Sequence, residues 1–155
     1  LAEETGSEFV RGYVSLMADV ANLRTAVRCM RLDGGQELLT RALVEGGSAD
    51  LQEIIGATLT WSSMETVFPD RLQTAVQLGQ DAAGGGAQTW FERACDNALV
   101  TYLQEARMVP FGDCVLAAYV AARENDLTAA RIVMSGRLAG VPTDSIRERL
   151  REAYV

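Results

Sequence analysis

Apolar residues recur near the start of the chain at alternating steps of four and three positions. They are Phe9, Tyr13, Leu16, Val20, Leu23, Val27 and Met30. This spacing places them on one side of an α-helix and predicts one long amphipathic helix with a coiled-coil-like stripe. We predict that it ends at Asp33, Gly34 and Gly35, because glycine readily adopts the left-handed conformation that closes a helix.

Shorter helices are predicted to follow the first one. One lies around GQELLTRALV, and another contains ADLQEIIGA, where the hydroxyl of Ser48 is placed to cap the first turn. Pro69 and Asp70 open a further helix, RLQTAVQLGQ. The run AAGGG at residues 82–86 is typical of a loop and predicts a hinge or linker.

Two long helices are predicted in the second half of the chain. The helix QTWFERACDNALVTYLQEARMV stops at Pro110, because proline lacks an amide hydrogen and crowds the preceding turn. The next runs from about Asp113 to Leu138, after which Gly140 to Thr143 supply a stop and an N-cap for DSIRERLREAYV. No window alternates apolar and polar residues with period two, so we predict an all-α fold built by packing helices in pairs.

One polar pattern occurs twice on the predicted long helices, as NLRTAVR at residues 22–28 and as NDLTAAR at residues 125–131. Asparagine, threonine and arginine lie one turn apart on each helix, beside an alanine that lets another helix approach closely. Such side chains can satisfy backbone carbonyls or carboxylates across a helix contact. The candidate residues for structural or partner contacts are Asn22, Thr25, Arg28, Glu124, Asn125, Asp126, Thr128 and Arg131.

Acidic residues accompany both copies of this motif. Asp19 extends the first row by one turn, and Glu124 and Asp126 are placed to hold Arg131 in the second copy. Two interpretations of the motif stay open. Each copy forms a hydrogen-bond clamp between helices of its own lobe, or the two copies line a central opening that grips a partner.

The duplication predicts an internal repeat, whichever interpretation holds. The copies lie further apart than the roughly 20–50 residues of a solenoid repeat, which indicates helical lobes arranged around a pseudo-symmetry axis. We place one lobe, truncated at its N-terminus, at residues 1–60 and a second at residues 61–155. The chain begins at Leu1 without methionine or the features of a signal peptide, so we expect a fragment of a longer protein.

Composition removes several classes of function. The chain has no lysine and no histidine and a net charge of −7. An acidic chain with scattered arginines does not suit nucleic-acid binding, which needs a basic face to neutralise phosphates. Without lysine or histidine there is no P-loop, Schiff base, Ser-His-Asp triad or His-containing zinc motif.

The remaining chemical candidates are few. Cys29, Cys95 and Cys114 are widely spaced and are more typical of small core residues in a reducing compartment than of a disulfide or zinc site. Neighbouring carboxylates, such as Glu124 with Asp126, are the only acid–base candidates. The longest apolar stretch, CVLAAYVAA, is shorter than the roughly 20 residues that cross a bilayer. We predict no catalytic residue, metal, cofactor or membrane insertion.

Two segments resemble a known family. VPFGDCVLAAYVAARENDLTAARIVMSGRLAGVPTDSIRERL is similar to the C-terminal signature of the C subunit of the V-type (A-type) ATP synthase, a relative of the d subunit of the V-ATPase. YVSLMADVANLRTAVRCMRL, followed by LVEGGS, resembles the matching segment of the preceding lobe. The resemblance implies three helical lobes arranged as a pseudo-threefold funnel, of which this chain is a C-terminal fragment with two lobes.

The resemblance also implies a mechanical function without catalysis. A member of this family lies peripherally on the cytoplasmic side of the membrane, receives the central stalk in its socket and passes torque between the stalk and the membrane ring that transports protons or sodium. The family pattern maps onto Asn22 and Arg28 in one lobe, and in the other onto Glu124, Asn125, Asp126 and Arg131.

Two other classes of function remain open from the residues alone. One is a helical protein-interaction adaptor with duplicated lobes, which binds a partner helix through the stripe from Phe9 to Met30. The other is a small helical enzyme that uses a pair of carboxylates, for which the sequence offers no paired-acid motif on one helix face.

Overall fold

The structure is a computed structural model that describes residues 6–32, 35–58, 61 and 63–154. Within these residues the chain forms eight α-helices and no β-strand, which confirms the all-α prediction. The helices are α1 Glu8–Met30, α2 Gly35–Ala42, α3 Leu51–Ala57, α4 Met64–Val67, α5 Gln73–Ala83, α6 Gln88–Gln104, α7 Asp113–Leu138 and α8 Thr143–Arg149. The 3₁₀ turn Asp70–Leu72 precedes α5, and the 3₁₀ turn Glu105–Met108 follows α6.

Helix α1 forms where the apolar stripe predicts it. The hydroxyl of Ser7 caps its first turn by accepting a hydrogen bond from the amide of Val10 at 3.3 Å. The middle of the stripe is buried, and its N-terminal residues Phe9 and Tyr13 pack against a smaller apolar cluster. The buried stripe residues are Leu16, Val20, Leu23 and Val27. Helix α1 ends at Met30, before the predicted stop, and Gly35 of that stop begins α2, while Asp33 and Gly34 lie outside the described residues.

The predicted cap of α3 is wrong. Asp50, not Ser48, precedes the helix and accepts hydrogen bonds from the amides of Gln52 and Glu53. A carboxylate directly before the first turn also interacts favourably with the positive end of the helix dipole. Ser48 is instead bound to a carboxylate of α1, which is described below.

Several other boundaries differ from the prediction. The predicted helix before Pro110 tightens into a 3₁₀ turn over its last residues, and the short helix α4 was not predicted. Within the predicted run Gly140 to Thr143, Pro142 occupies the N-cap of α8 and Thr143 is already helical. The final helix is also shorter than expected, because the backbone becomes extended at Leu150. We refer to residues 150–154 as the C-terminal tail. Helix α7 matches its predicted limits.

The larger core lies between α1 and the helices α2 to α6. Helix α5 packs along α6, and α1 contacts α2, α5 and α6. The most deeply buried large side chains of this core are Leu23, Leu39, Ile54, Met64, Leu72 and Phe91. Residues on both sides of position 60 contribute to this cluster, and the division into lobes at 1–60 and 61–155 stays a prediction, as does the internal repeat.

Helix α7 lies at the edge of the molecule. It contacts α1, α6 and α8, and Ala118 joins Leu103 and Ala106 in the smaller apolar cluster. Ala118 and Ala122 are its buried residues, so the described part of the chain leaves most of this long helix in contact with solvent. The two ends of the chain thus differ, since α1 is largely enclosed and α7 is not.

Candidate functional site

The first motif copy holds a loop through Asn22, which is fully buried on α1. Its Nδ2 donates to the carbonyl oxygen of Val44 at 2.9 Å, and its Oδ1 accepts from the amide of Val44 at 2.8 Å. One side chain thereby satisfies both backbone polar groups of Val44, which would be costly to leave unpaired away from water. Asn22 thus fastens the start of the segment at residues 43–50, the α2–α3 segment, to α1.

Asp19 fastens the other end of the same segment, one turn earlier on α1. This buried carboxylate accepts hydrogen bonds from the amide of Ser48 at 3.0 Å, from its hydroxyl at 2.7 Å and from the amide of Ala49 at 3.0 Å. Gly47 makes the approach possible, because a Cβ at this position would lie only 2.2 Å from Oδ1 of Asp19. The sequence LVEGGS therefore wraps closely around a buried acid.

The other two residues of the first copy make weaker contacts. Thr25 donates from Oγ1 to the carbonyl of Ala21 at 2.8 Å, within its own helix. Arg28 donates from Nη2 to Oε1 of Glu92 on α6 at 3.1 Å, with 63% of the arginine side chain exposed. An ion pair this exposed contributes little to stability.

A stronger ionic cluster includes both arginines of the first motif copy, and its pairing was not predicted from the sequence. Nη2 of Arg24 donates to Oδ1 of Asp96 at 2.7 Å, while Nε lies 2.7 Å from Oε2 of Glu92 at an angle outside hydrogen-bond geometry. Nε of Arg151, in the C-terminal tail, donates to the second carboxylate oxygen of Asp96. We call Arg24, Arg28, Glu92, Asp96 and Arg151 the arginine–carboxylate network. It links α1, α6 and the tail.

Partial burial governs the electrostatics of this network. The pKa of Arg24 is raised, although burial, the largest single effect, acts to lower it, because the hydrogen bond to Asp96 and the nearby negative charges together outweigh burial. Burial raises the pKa of the neighbouring Cys95 thiol to about 12, which keeps that thiol protonated near neutral pH. Two arginines four residues apart on α1, Arg24 and Arg28, match two carboxylates four residues apart on α6, Glu92 and Asp96. This spacing is a signal in the sequence that could have revealed the pairing.

The second motif copy holds the C-terminal tail. Nδ2 of Asn125 donates to the carbonyl of Glu152 at 3.2 Å, while Oδ1 of Asn97 accepts from the amide of Glu152 at 3.0 Å. Thr128 repeats the behaviour of its counterpart and donates to the carbonyl of Glu124 within the helix at 3.0 Å. Both motif asparagines therefore bind the backbone of a segment that follows a short helix.

The expected pairing of Arg131 is wrong. Asp126 lies 3.5 Å from Arg123 instead, and the exposed side chain of Arg131 makes no ion pair or hydrogen bond with any residue that the structure describes. Helix geometry explains the difference, because residues three or four apart share a face, whereas Asp126 is five residues before Arg131. Glu124 is two full turns away from that arginine.

The second motif and the network meet at a cavity between α1, α6, α7 and the C-terminal tail. Its volume is about 170 Å³, and its walls include Glu124, Asn125 and Thr128 together with Asp96 and Arg151. In the described residues no hydrogen bond or ion pair joins the first motif copy to the second. A role of either copy in partner binding stays a prediction.

The described residues offer little for metal or redox chemistry. No group of three or more histidine, cysteine, aspartate or glutamate residues among them is placed to hold a metal ion. Cys29 and Cys95 are buried and Cys114 is half-buried, all three as free thiols. None of the described helices is both long enough and apolar enough to pass through a bilayer.

Comparison with known proteins assigns the family. The family model "ATP synthase (C/AC39) subunit" matches residues 1–149. Two relatives named as the C subunit of the A-type ATP synthase, from the R1 and NRC-1 strains of Halobacterium salinarum, are each 25% identical over 96% of this chain and 43% of their own length. The chain thus spans less than half the length of these relatives, and no solved structure matches it. The chain belongs to the ATP synthase (C/AC39) subunit family.

Proposed function

We propose that the protein is a non-catalytic component of a V-type or A-type ATP synthase that links the central stalk to the membrane ring and transmits torque between them. The observation that carries the proposal is the family match over residues 1–149. The curated relatives are named as the C subunit of the A-type enzyme, which supports membership in such a complex.

Contacts that join separate helices support the coupling role. A protein that passes torque must resist shear between its helices, and the arginine–carboxylate network ties α1, α6 and the C-terminal tail together near one point. Asn22 and Asp19 add a second attachment, between α1 and the α2–α3 segment. Hydrogen bonds that are largely shielded from water give such joints a defined geometry.

We place the protein peripherally, on the cytoplasmic side of the membrane. Its net charge of −7 disfavours binding to anionic lipid headgroups, so attachment through protein contacts with the ring is the better account. The ring would transport the proton or sodium ion, and this chain would contribute the mechanical connection. In the complete protein the lobes would surround a funnel-shaped socket for the stalk.

The motif residues would divide between two roles in this assembly. Asn22 is buried and would act through the loop that it holds. Arg28 and Arg131 are exposed and are the better candidates for direct contact with the stalk.

A second candidate function is a helical protein-interaction adaptor with duplicated lobes. The α1 stripe that was predicted to bind its partner helix is buried at Leu16, Val20, Leu23 and Val27, so the observation that favours this candidate is instead the exposed apolar face of α7. Under this alternative the protein binds a partner helix and shows no preference for the subunits of a rotor.

Native mass spectrometry of the full-length protein, mixed with its own central-stalk and ring subunits, tests the proposal. We expect a one-to-one complex with the stalk, weakened by Arg28→Glu but not by Arg41→Glu, whose arginine is exposed on α2 and pairs locally with Glu37. If no complex forms while the stalk subunits still pair with each other, the adaptor becomes the better account.

A further inference from the structure

The outward face of α7 carries a row of large apolar side chains that nothing covers in the described chain. Each of them is between 52% and 88% exposed, and Ala118 and Ala122 face the body from the opposite side of the helix. Exposed apolar side chains aligned along one helix face are typical of surfaces that bind another helix. We call the row the α7 stripe, and it comprises Leu116, Val120, Leu127, Met134 and Leu138.

The α7 stripe is straight and long. At 3.6 residues per turn, Leu116, Leu127 and Leu138 follow one another at about every third turn and so point in nearly the same direction. At about 1.5 Å per residue, the stripe extends for roughly 33 Å. The exposed side chains of Arg123 and Arg131 lie within the same sector. The surface therefore has the dimensions of a helix-binding site. Arg123 on it is paired with Asp126, whereas Arg131 makes no ion pair with any residue that the structure describes.

The first motif copy indicates what covers such a face. When NLRTAVR is aligned with NDLTAAR, Arg28 corresponds to Arg131 and Arg24 corresponds to Leu127. On α1 this face is covered by helix α6, whose Glu92 binds both arginines of the first copy. An acid-bearing helix is therefore the occupant of the equivalent face within this same chain.

The differences between the copies define the chemistry of the missing occupant. Leu127 stands where α1 has Arg24, and Met134 stands where α1 has Arg31, which donates to Gln88 of α6. The α7 face is thus more apolar than that of α1, but it keeps the motif arginine, Arg131. A second copy of the chain is a poor occupant, because each copy carries a net charge of −7 and would bring the same arginines to the contact.

We propose that the α7 stripe docks an amphipathic helix of a partner protein, apolar along its line of contact and bearing a carboxylate that pairs with Arg131. The mode is the insertion of apolar anchors, spaced three or four residues apart, against a complementary helix face. The inference goes beyond the coupling function, because it concerns the chemistry of one surface and does not require a rotary complex.

The test uses two synthetic helical peptides of the length of α7, each with one leucine stripe. Glutamates flank the stripe in the first peptide and lysines flank it in the second. We expect the intact chain to bind the glutamate peptide one-to-one, with a Kd on the order of micromolar by calorimetry, and to bind the lysine peptide at least about tenfold more weakly. Leu127→Asp should weaken binding of the glutamate peptide by about tenfold or more, because it places a charge at the centre of the contact.

Charge reversal separates this proposal from non-specific apolar binding. Arg131→Glu should weaken binding of the glutamate peptide and strengthen binding of the lysine peptide. Leu38→Asp, at a half-exposed position of α2, should leave both affinities unchanged. Unchanged circular dichroism would show that the variants fold. Equal binding of the two peptides, binding of neither, or self-association that Leu127→Asp abolishes would each overturn the proposal. Absence of a stalk complex would contradict the coupling function but not the helix-docking proposal, so the two proposals can fail independently.

Discussion

Removal of Arg24 is the sharpest perturbation of the arginine–carboxylate network. In Arg24→Ala, Glu92 and Asp96 lose a cation that lies 2.7 Å from each of them, and the side chains of all three residues are only 20–26% exposed. Breaking a fully buried pair costs about 3–5 kcal/mol, whereas an exposed pair contributes about 0–1 kcal/mol. Because these residues are partly exposed, and because Arg28 and Arg151 remain on the carboxylates, we expect a loss of about 2–3 kcal/mol.

Thermal and urea unfolding, followed by far-UV circular dichroism, measure this loss. For a chain of this length, roughly 2–4 °C per kcal/mol converts the expected loss into a decrease in Tm of about 4–12 °C. Arg41→Ala is the matched control, because Arg41 pairs with Glu37 at 76% and 77% exposure and its removal should change stability by less than about 0.5 kcal/mol.

A double-mutant cycle identifies the source of the effect. Arg24→Ala combined with Asp96→Asn should cost less than the sum of the two single changes, by about 1 kcal/mol or more, because the two side chains are in direct contact. If Arg24→Ala were no more destabilising than Arg41→Ala, or if the cycle showed additivity, the reasoning that this network joins α1 to α6 would be refuted.

Three further predictions concern single contacts. Asn22→Ala should lower the urea midpoint by an amount equivalent to about 2–3 kcal/mol, because both backbone groups of Val44 lose their partner, and an unchanged midpoint would contradict the clamp. Iodoacetamide at pH 8 should label Cys114 well before Cys95, whose pKa of about 12 leaves only about one thiol in ten thousand ionised, and equal rates would contradict its burial. Asn125→Ala should accelerate amide hydrogen exchange in the C-terminal tail with little change in Tm, and unaltered exchange would show that the asparagine does not hold the tail.

The helices were predictable because their signals are local and periodic. The limits of α7 follow from the proline and glycine residues that flank it, and the buried positions of α1 follow from apolar spacing. The cap of α3 was not predictable in the same way, since Ser48 and Asp50 are both good capping residues and a tertiary contact decides between them. Asp19, far away along the chain, accepts a hydrogen bond from the hydroxyl of Ser48, so Asp50 caps the helix instead.

The candidate site was only partly predictable for a related reason. Asn22 and Asn125 stood out because the motif repeats, but the backbone that each one binds has no signature within a short window. The charge spacing on α1 and α6 is compatible with the pairing of Arg24 but does not by itself specify which helices meet. The expected pairing of Arg131 with Asp126 is wrong because the two residues are five positions apart, and residues at that spacing do not share a helix face. Contacts between distant segments depend on packing, which periodicity does not specify.

The asparagines of the two motif copies have the same role, whereas the arginines do not, and the difference follows from burial. The asparagines are held inside or beside the body and perform the same task, binding the backbone of a following segment. The arginines project from the helices and depend on what lies opposite, so Arg28 finds Glu92 on α6 while Arg131 has no such helix in the described chain. A face that retains its arginine but exchanges its flanking charges for Leu127 and Met134 is suited to a partner that brings its own carboxylate. Charge reversal at Arg131 therefore separates a surface made for docking from one that is merely exposed.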